Sequence, residues 1–299
     1  MDPKPGTDMS PYACFANNPI LSVDPRGDTS WYYNNRTGAL LERIDDNNPN
    51  RHFEVNAKFY NAARAIYKSE HTSFDVNVKS DVNVANDFSK YIAYMARETE
   101  LWDLKGATYM TEIFEPSWTL HARSQVGINE DNNSGVIVSR YHSVNREYKA
   151  KAASEPWCAS FVGYCLSHMG YEAQLDAGAA SYSNPKTRHR AGYSGYKVEA
   201  YVDPIWGEKV DKPFVGCIAI HKSGAQYHVT FIIAQSANGN TLYGLGGNQG
   251  DQVKISPYSK SNFVAFMRPI SYTVPESAKT LPIRNYPQTT STTAGESTR

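Results

Sequence analysis

The chain has 299 residues, long enough for a full hydrophobic core and for two domains. Its 30 basic residues equal its 30 acidic ones, so no global field draws it to nucleic acid or to an anionic surface. No apolar run approaches the roughly 20 residues of a membrane-spanning helix, which argues against stable membrane insertion.

Residues 1–30 are turn-rich and carry no helical period. Met1 to Pro5 has neither the basic nor the apolar region of a signal peptide, so export is expected to rest on something other than a cleaved leader. Tyr12, the run Asn17-Asn18-Pro19 and the run Asp24-Pro25-Arg26-Gly27 follow one another in an order that resembles the end of an Rhs, or YD-repeat, core. That resemblance implies a junction ahead of a variable toxin domain. In some Rhs proteins the aspartate of Asp-Pro-x-Gly acts in self-cleavage, but only inside an intact shell. Here Asp24 reads as a vestige or an excised junction.

Residues 31–116 are expected to form a small, mostly helical accessory module. Trp31 to Ile44 alternates around Asn34-Asn35-Arg36-Thr37-Gly38, which predicts a hairpin, and Asp45 to Asn50 reads as a polar loop. Ala57 to Ser69 reads as a helix. A longer one, capped by Asn86, places Phe88, Ile92, Met95, Thr99 and Trp102 on a single stripe. His52 and His71 are read as solvated surface residues. No catalytic constellation appears here, and the role expected is packing, targeting or inhibition.

From Ser117 to residue 271 the pattern changes to α+β. A helix over 117–126 ends at Gly127, and a second runs from Trp157 to Gly170, burying Phe161, Val162, Cys165 and Leu166. Residues 173–207, rich in Gly, Tyr and Ser, are expected to form long loops. Tyr182, Tyr193, Tyr196 and Tyr201 suit either a wall over an extended cleft or local packing. Strands are predicted at Phe214–His221, His228–Gln235, Thr241–Leu245 and Phe263–Met267. Residues 272–299, poor in apolar side chains, are expected to be a disordered tail.

Four cysteines do not make a disulfide scaffold at this length. Cys158 and Cys165 lie seven apart on one helix, about 10.5 Å along its axis, beyond the roughly 7 Å a disulfide spans. Cys165 and Cys217 fall on apolar stretches and read as core. With no CxxC pair and no HExxH motif, neither a metal nor another cofactor is expected.

Cys158 differs because it opens its helix just after Pro156, where backbone N–H groups point outward and favour a thiolate or an oxyanion. His228 opens a strand whose next residues are apolar, which can set its ring at the sheet edge. His221 reads as a solvent-facing strand end, and His168 and His189 have weaker claims. Strict pairing across a two-residue turn at Asn238-Gly239 sets His228 opposite Gln249, and a bulge brings Asn248 there instead. A cysteine, a histidine and an amide in this order are the parts of a papain-type thiol hydrolase.

Cys158 to Val162, His228 and the run Gly246-Gly247-Asn248-Gln249 together resemble the cell-wall cysteine hydrolases of the NlpC and CHAP type. The likeness starts at Ala122 to Glu130, passes through Val138 and Tyr141, and ends near Phe266 to Pro269, about half the chain. It implies a papain-like α+β fold with a central antiparallel sheet, and Asn248 as third catalytic residue beside Cys158 and His228. Trp157, Tyr227 and Gln249, which adjoin these three, are expected to meet substrate. Two departures, Tyr227 where the family has Gly and Gly216-Cys217 where it has Gly-Asp, bear on cleft shape. The implied activity is hydrolysis of amide bonds in peptidoglycan, as stem-peptide endopeptidase or N-acetylmuramoyl-L-alanine amidase. With the Rhs-like start, the expected setting is an antibacterial effector carried by a secretion apparatus, of type VI, or by the Rhs shell. It would be secreted, act in the periplasm or cell wall of a rival, and be matched by a cognate immunity protein. The alternatives are a papain-fold protease or deamidase toxin acting on a cytosolic protein, and a non-catalytic cell-wall-binding module.

Overall fold

The computed structural model describes residues 29–46, 50–70, 82–97, 110–145, 150–186 and 205–286. The chain divides into two compact units, Met1–Phe114 and Glu115–Arg299. Among the described residues no helix is long and apolar enough to cross a membrane. Both units combine helices with sheet, so the class is α+β.

In the first unit β1 (Thr29–Asn34) and β2 (Leu40–Asp45) form the hairpin expected from the sequence. The unit is less helical than expected. β3 (Arg51–Val55) pairs parallel to β1, and β4 (Met110–Glu112) pairs antiparallel to β3, giving a sheet of order β2-β1-β3-β4. Strands this short offer too few residues for alternation to register. α1 (Ala57–Glu70) begins at an Asn56 side chain that accepts from the Phe59 N–H at 3.1 Å, and buries Phe59, Tyr60, Ala63 and Tyr67. α2 (Val82–Arg97) adds Phe88, Ile92 and Met95 to the same core. Asn86 lies inside α2 instead of capping it, because nothing between Val82 and Ala85 breaks a helix. Thr99, Trp102 and His71 lie outside the described residues, as does the whole segment before Thr29. His52 stacks between Trp31 and Tyr33, at ring separations of 5.7 and 5.9 Å, so it is not a simple solvated residue.

The second unit is built on a six-stranded sheet, antiparallel throughout, in the order β5-β10-β6-β7-β8-β9. The predicted strands appear as β6 (Ile218–Ser223), β7 (Gln226–Gln235), β8 (Thr241–Gly246) and β10 (Phe263–Pro269). β5 (Gly207–Val210) and β9 (Lys254–Ser259) were not legible. Pro257 argues against a strand, and β9 tolerates it because it is an edge strand. Alternation sends Ile218, Ile220, Val229 and Phe231 to one face and Cys217, Ala219 and Ile232 to the other.

The first face packs on α3 (Ser117–Ser124), the π-turn Ile137–Tyr141 and α5 (Cys158–His168), in a core rich in large aromatics. α4 (Glu130–Val136) precedes the π-turn and is capped by Asn129, whose side chain accepts from the Asn132 N–H at 2.9 Å. The second face is covered by the segment after β10, which corrects the expected disordered tail over its described part. Ala278 and Leu281 are buried there, while Tyr286 crosses to the first-face core beside Tyr243. The Val215 N–H donates to Ala278 at 2.9 Å, the Gln235 N–H to Pro282 at 3.0 Å and the Arg284 N–H back to Gln235 at 2.9 Å. Few apolar residues suffice, because a two-sided sheet must be covered somewhere and each one lands on it. Residues 287–299 lie outside the described residues.

Candidate active site

α5 starts where the sequence places it. Trp157 is its cap residue, with no side-chain cap, and the first intrahelical bond runs from the Phe161 N–H to the Trp157 carbonyl at 2.9 Å. Cys158 is therefore the first helical residue and is buried, at 3 % exposure. Burial pushes its thiol above the ordinary value of 9.0, against backbone hydrogen bonds at Val229, Ala159 and Cys158 itself that favour the thiolate. Burial wins. The helix start alone therefore does not give a resting thiolate, and deprotonation needs a base.

Packing holds the helix start from three sides. Trp157 is fully buried, donates from Nε1 to Glu130 Oε1 at 2.9 Å and stacks on Tyr141 at 5.6 Å. It is a wedge under Cys158 with no exposed surface of its own in this structure. Gly247 meets this wedge: a Cβ there would collide with the Trp157 ring and with Phe161. Ser160 is bonded to His142 Nδ1 at 3.0 Å and accepts from the Asn145 side-chain amide at 2.8 Å. At Gly163 the Tyr182 hydroxyl comes as close as a side chain there would allow, and Tyr182 donates to the Ala159 carbonyl at 3.2 Å. Tyr182 is thus packed against the helix, not held over a cleft. Tyr193, Tyr196, Tyr201 and His189 lie outside the described residues.

The register of β7 and β8 decides the third residue only in part. Gln235 stands opposite Leu242 and Ala234 opposite Tyr243, then a bulge shifts the pairing to Ile232 opposite Gly244 and Phe231 opposite Leu245. Extended past the end of the ladder, that register carries Asn248 towards His228, as the bulge alternative anticipates. The side chains answer differently. Asn248 takes a left-handed turn, φ 55°, and the His228 ring meets Gln249, with Nε2 3.3 Å from Oε1. The ring contact expected of Asn248 is made instead by Gln249, which is 1 % exposed.

The orientation of the Gln249 amide follows from its neighbours. Its Nε2 donates to the carbonyls of Gly244, at 3.2 Å, and of Lys254, which fixes Oε1 towards His228. Oε1 also accepts from the Tyr258 hydroxyl at 2.6 Å and from Thr230 at 3.3 Å. An amide oxygen can only accept, so His228 carries its proton on Nε2 and Nδ1 is the basic nitrogen. Tyr258 also stacks on the imidazole at 5.8 Å and leans on His221 at 5.0 Å. His221 stands opposite His228 in the β6–β7 pair and is half-buried, not a solvent-facing strand end. Tyr258 and Thr230 are the members of this network that the sequence did not reveal. Tyr258 was hidden because β9 was.

The Cys158 thiol lies against the backbone of Val229, the residue that follows His228 in β7. Tyr227 packs half-buried against the core cluster that contains Cys158, with the Lys222 ammonium 5.2 Å over its ring. Among the described residues no group of three metal-ligating side chains occurs. A buried thiol, an oriented imidazole and the amides of a helix start are suited to acyl transfer from an amide. Set against protein-family models, curated proteins and solved structures, the chain matches none of them.

Proposed function

We propose that the second unit is a papain-like cysteine hydrolase in which Cys158 attacks an amide carbonyl, His228 moves the proton and Gln249 orients His228. The observation that carries this reading is the contact of His228 Nε2 with Gln249 Oε1 at 3.3 Å, an acceptor that favours the tautomer with Nδ1 as the base. His228 takes the Cys158 proton as sulfur bonds to carbonyl carbon, and then gives it to the departing amine. The resulting thioester is hydrolysed by water, activated by the same imidazole. The N–H groups of Cys158 and Ala159, which favour the thiolate, are the proposed donors to the intermediate oxyanion.

The proposed substrate is peptidoglycan, cut in the stem peptide or between sugar and peptide, on the strength of the NlpC- and CHAP-like run around these residues. The proposed setting is an Rhs-associated, secreted antibacterial effector, acting in the periplasm of a target cell and countered by an immunity protein. Purified protein should release soluble muropeptides from sacculi, and Cys158→Ala should release none; undiminished release by that variant rejects the mechanism. Mass spectrometry of the products assigns the bond. Expression directed to the periplasm should lyse cells while cytoplasmic expression is tolerated, and the reverse pattern moves the substrate to a cytosolic protein.

A further inference from the structure

At the far end of α5, about 15 Å along its axis from Cys158, four side chains from three elements converge. The rings of His121, on α3, and His168, on α5, stack at 4.4 Å with an interplanar angle of 22°. Tyr164, one turn before His168, lies 5.4 Å from the first ring and 5.2 Å from the second. The Arg140 guanidinium, from the π-turn, is close enough to act electrostatically on His121, Tyr164 and His168. His121 and Tyr164 are each 7 % exposed and form a buried floor, while His168 and Arg140 are half-buried and open it to the surface.

The polar atoms of this cluster lack protein partners. His121 Nε2, His168 Nε2 and the Tyr164 hydroxyl are buried with no hydrogen bond. Among the described residues no carboxylate pairs with Arg140 or with either ring. Three orphaned buried polar atoms in one place require a cause, since such groups are otherwise satisfied. Arginine, tyrosine and protonated imidazole are all donors, and together they lack only an acceptor. We propose that His121, His168, Tyr164 and Arg140 form a binding site for a compact oxyanion, a phosphate or a carboxylate, separate from the Cys158 site.

Titration supports the geometry. Burial, the second imidazole and Arg140, in that order, depress His121 from 6.5 to about 3, and burial and Arg140 depress His168. Tyr164, which meets both rings, and Tyr141 and Cys165 beside it are neutral near pH 7, and burial raises all three further above their ordinary values. The folded chain thus binds fewer protons than the unfolded one below 6.5, and loses stability as pH falls from there towards 3. An anion between the rings and Arg140 reverses that penalty by favouring the protonated imidazoles.

The test is calorimetric titration of the full chain with inorganic phosphate and, separately, acetate, at about pH 6 and matched ionic strength. Melting curves are run in parallel. Binding is expected to raise the melting temperature more at pH 6 than at pH 8, and Arg140→Gln should weaken it by roughly tenfold or more. His168→Gln, at a half-exposed position, is the second variant and should remove the pH dependence. Binding of phosphate alone, acetate alone or both supports the site and identifies its ligand. No binding of either, or equal binding by wild type and both variants, overturns it. Release from sacculi by Arg140→Gln should equal wild type, so this outcome is separate from that of the hydrolase reading.

Discussion

Replacing Gln249 separates the two amides that compete for the third role. Gln249→Leu keeps the volume but removes the oxygen that holds His228 Nε2, and leaves the Tyr258 hydroxyl without its acceptor. Loss of the group that orients a catalytic imidazole should lower activity by roughly tenfold or more. Asn248→Gly keeps the left-handed backbone and removes only the side chain, so turnover should stay within about threefold of wild type. Equal losses in the two variants, measured on one substrate, would reject Gln249 as the orienting group. The thiol makes a second prediction at this scale. Because burial holds Cys158 above 9.0, its neutral form dominates at pH 7, and alkylation by iodoacetamide should accelerate steadily as pH rises towards that value. The rate is read as the difference between wild type and Cys158→Ala. A plateau already reached near pH 6 would mean a resting thiolate–imidazolium pair.

At the level of elements, the site depends on how α5 meets the turn after β8. Gly247→Val forces a side chain into the Trp157 ring, so it should cost about 1 to 3 kcal/mol of stability and push the start of α5 away from His228. Turnover should fall more than the melting curve alone accounts for. α3 depends on an ion pair: Arg123 Nε and Nη2 donate to Glu115 at 2.8 and 2.6 Å, with side-chain exposures of 1 % and 4 %. Glu115→Ala takes the carboxylate away from a buried guanidinium and should cost about 3 to 5 kcal/mol, more than Glu115→Ala/Arg123→Met together. Chemical denaturation of the three proteins checks the order. How far such elements can be read from sequence depends on how local their cause is. α5 was legible because Pro156 just before it, its own apolar stripe and Gly170 just after it are all local signals, and β6, β7, β8 and β10 because their apolar runs stand out. β9 was obscured by Pro257, which only its place at the sheet edge excuses, and with β9 went Tyr258. Strict pairing already points to Gln249, the family resemblance to Asn248, and what decides between them is a left-handed residue at 248 and two carbonyl acceptors for the Gln249 amide.

On the scale of the whole chain, each unit has its own apolar core, and in the second the last described segment completes the sheet. Sequence composition hid this, because Pro275 to Tyr286 carries few apolar residues and each matters only through what it covers. Ala278 and Leu281 close the face that contains Cys217, Ile232 and Leu242, and burial raises the Cys217 thiol to about 12. Two shortened chains, one ending at Tyr286 and one at Ile270, differ by this segment, including Tyr272, whose ring meets Trp118 at 4.6 Å. The shorter loses the burial of Ala278, Leu281 and Tyr286 together with the backbone bonds at Val215 and Gln235, a cost of about 5 kcal/mol at roughly 1.5 to 3 kcal/mol per large side chain. It should melt well below the longer one. Cys217, no longer covered, should react with Ellman's reagent in the shorter chain and resist it in the longer. Equal melting temperatures with Cys217 unreactive in both would mean that the segment after β10 contributes nothing to the fold.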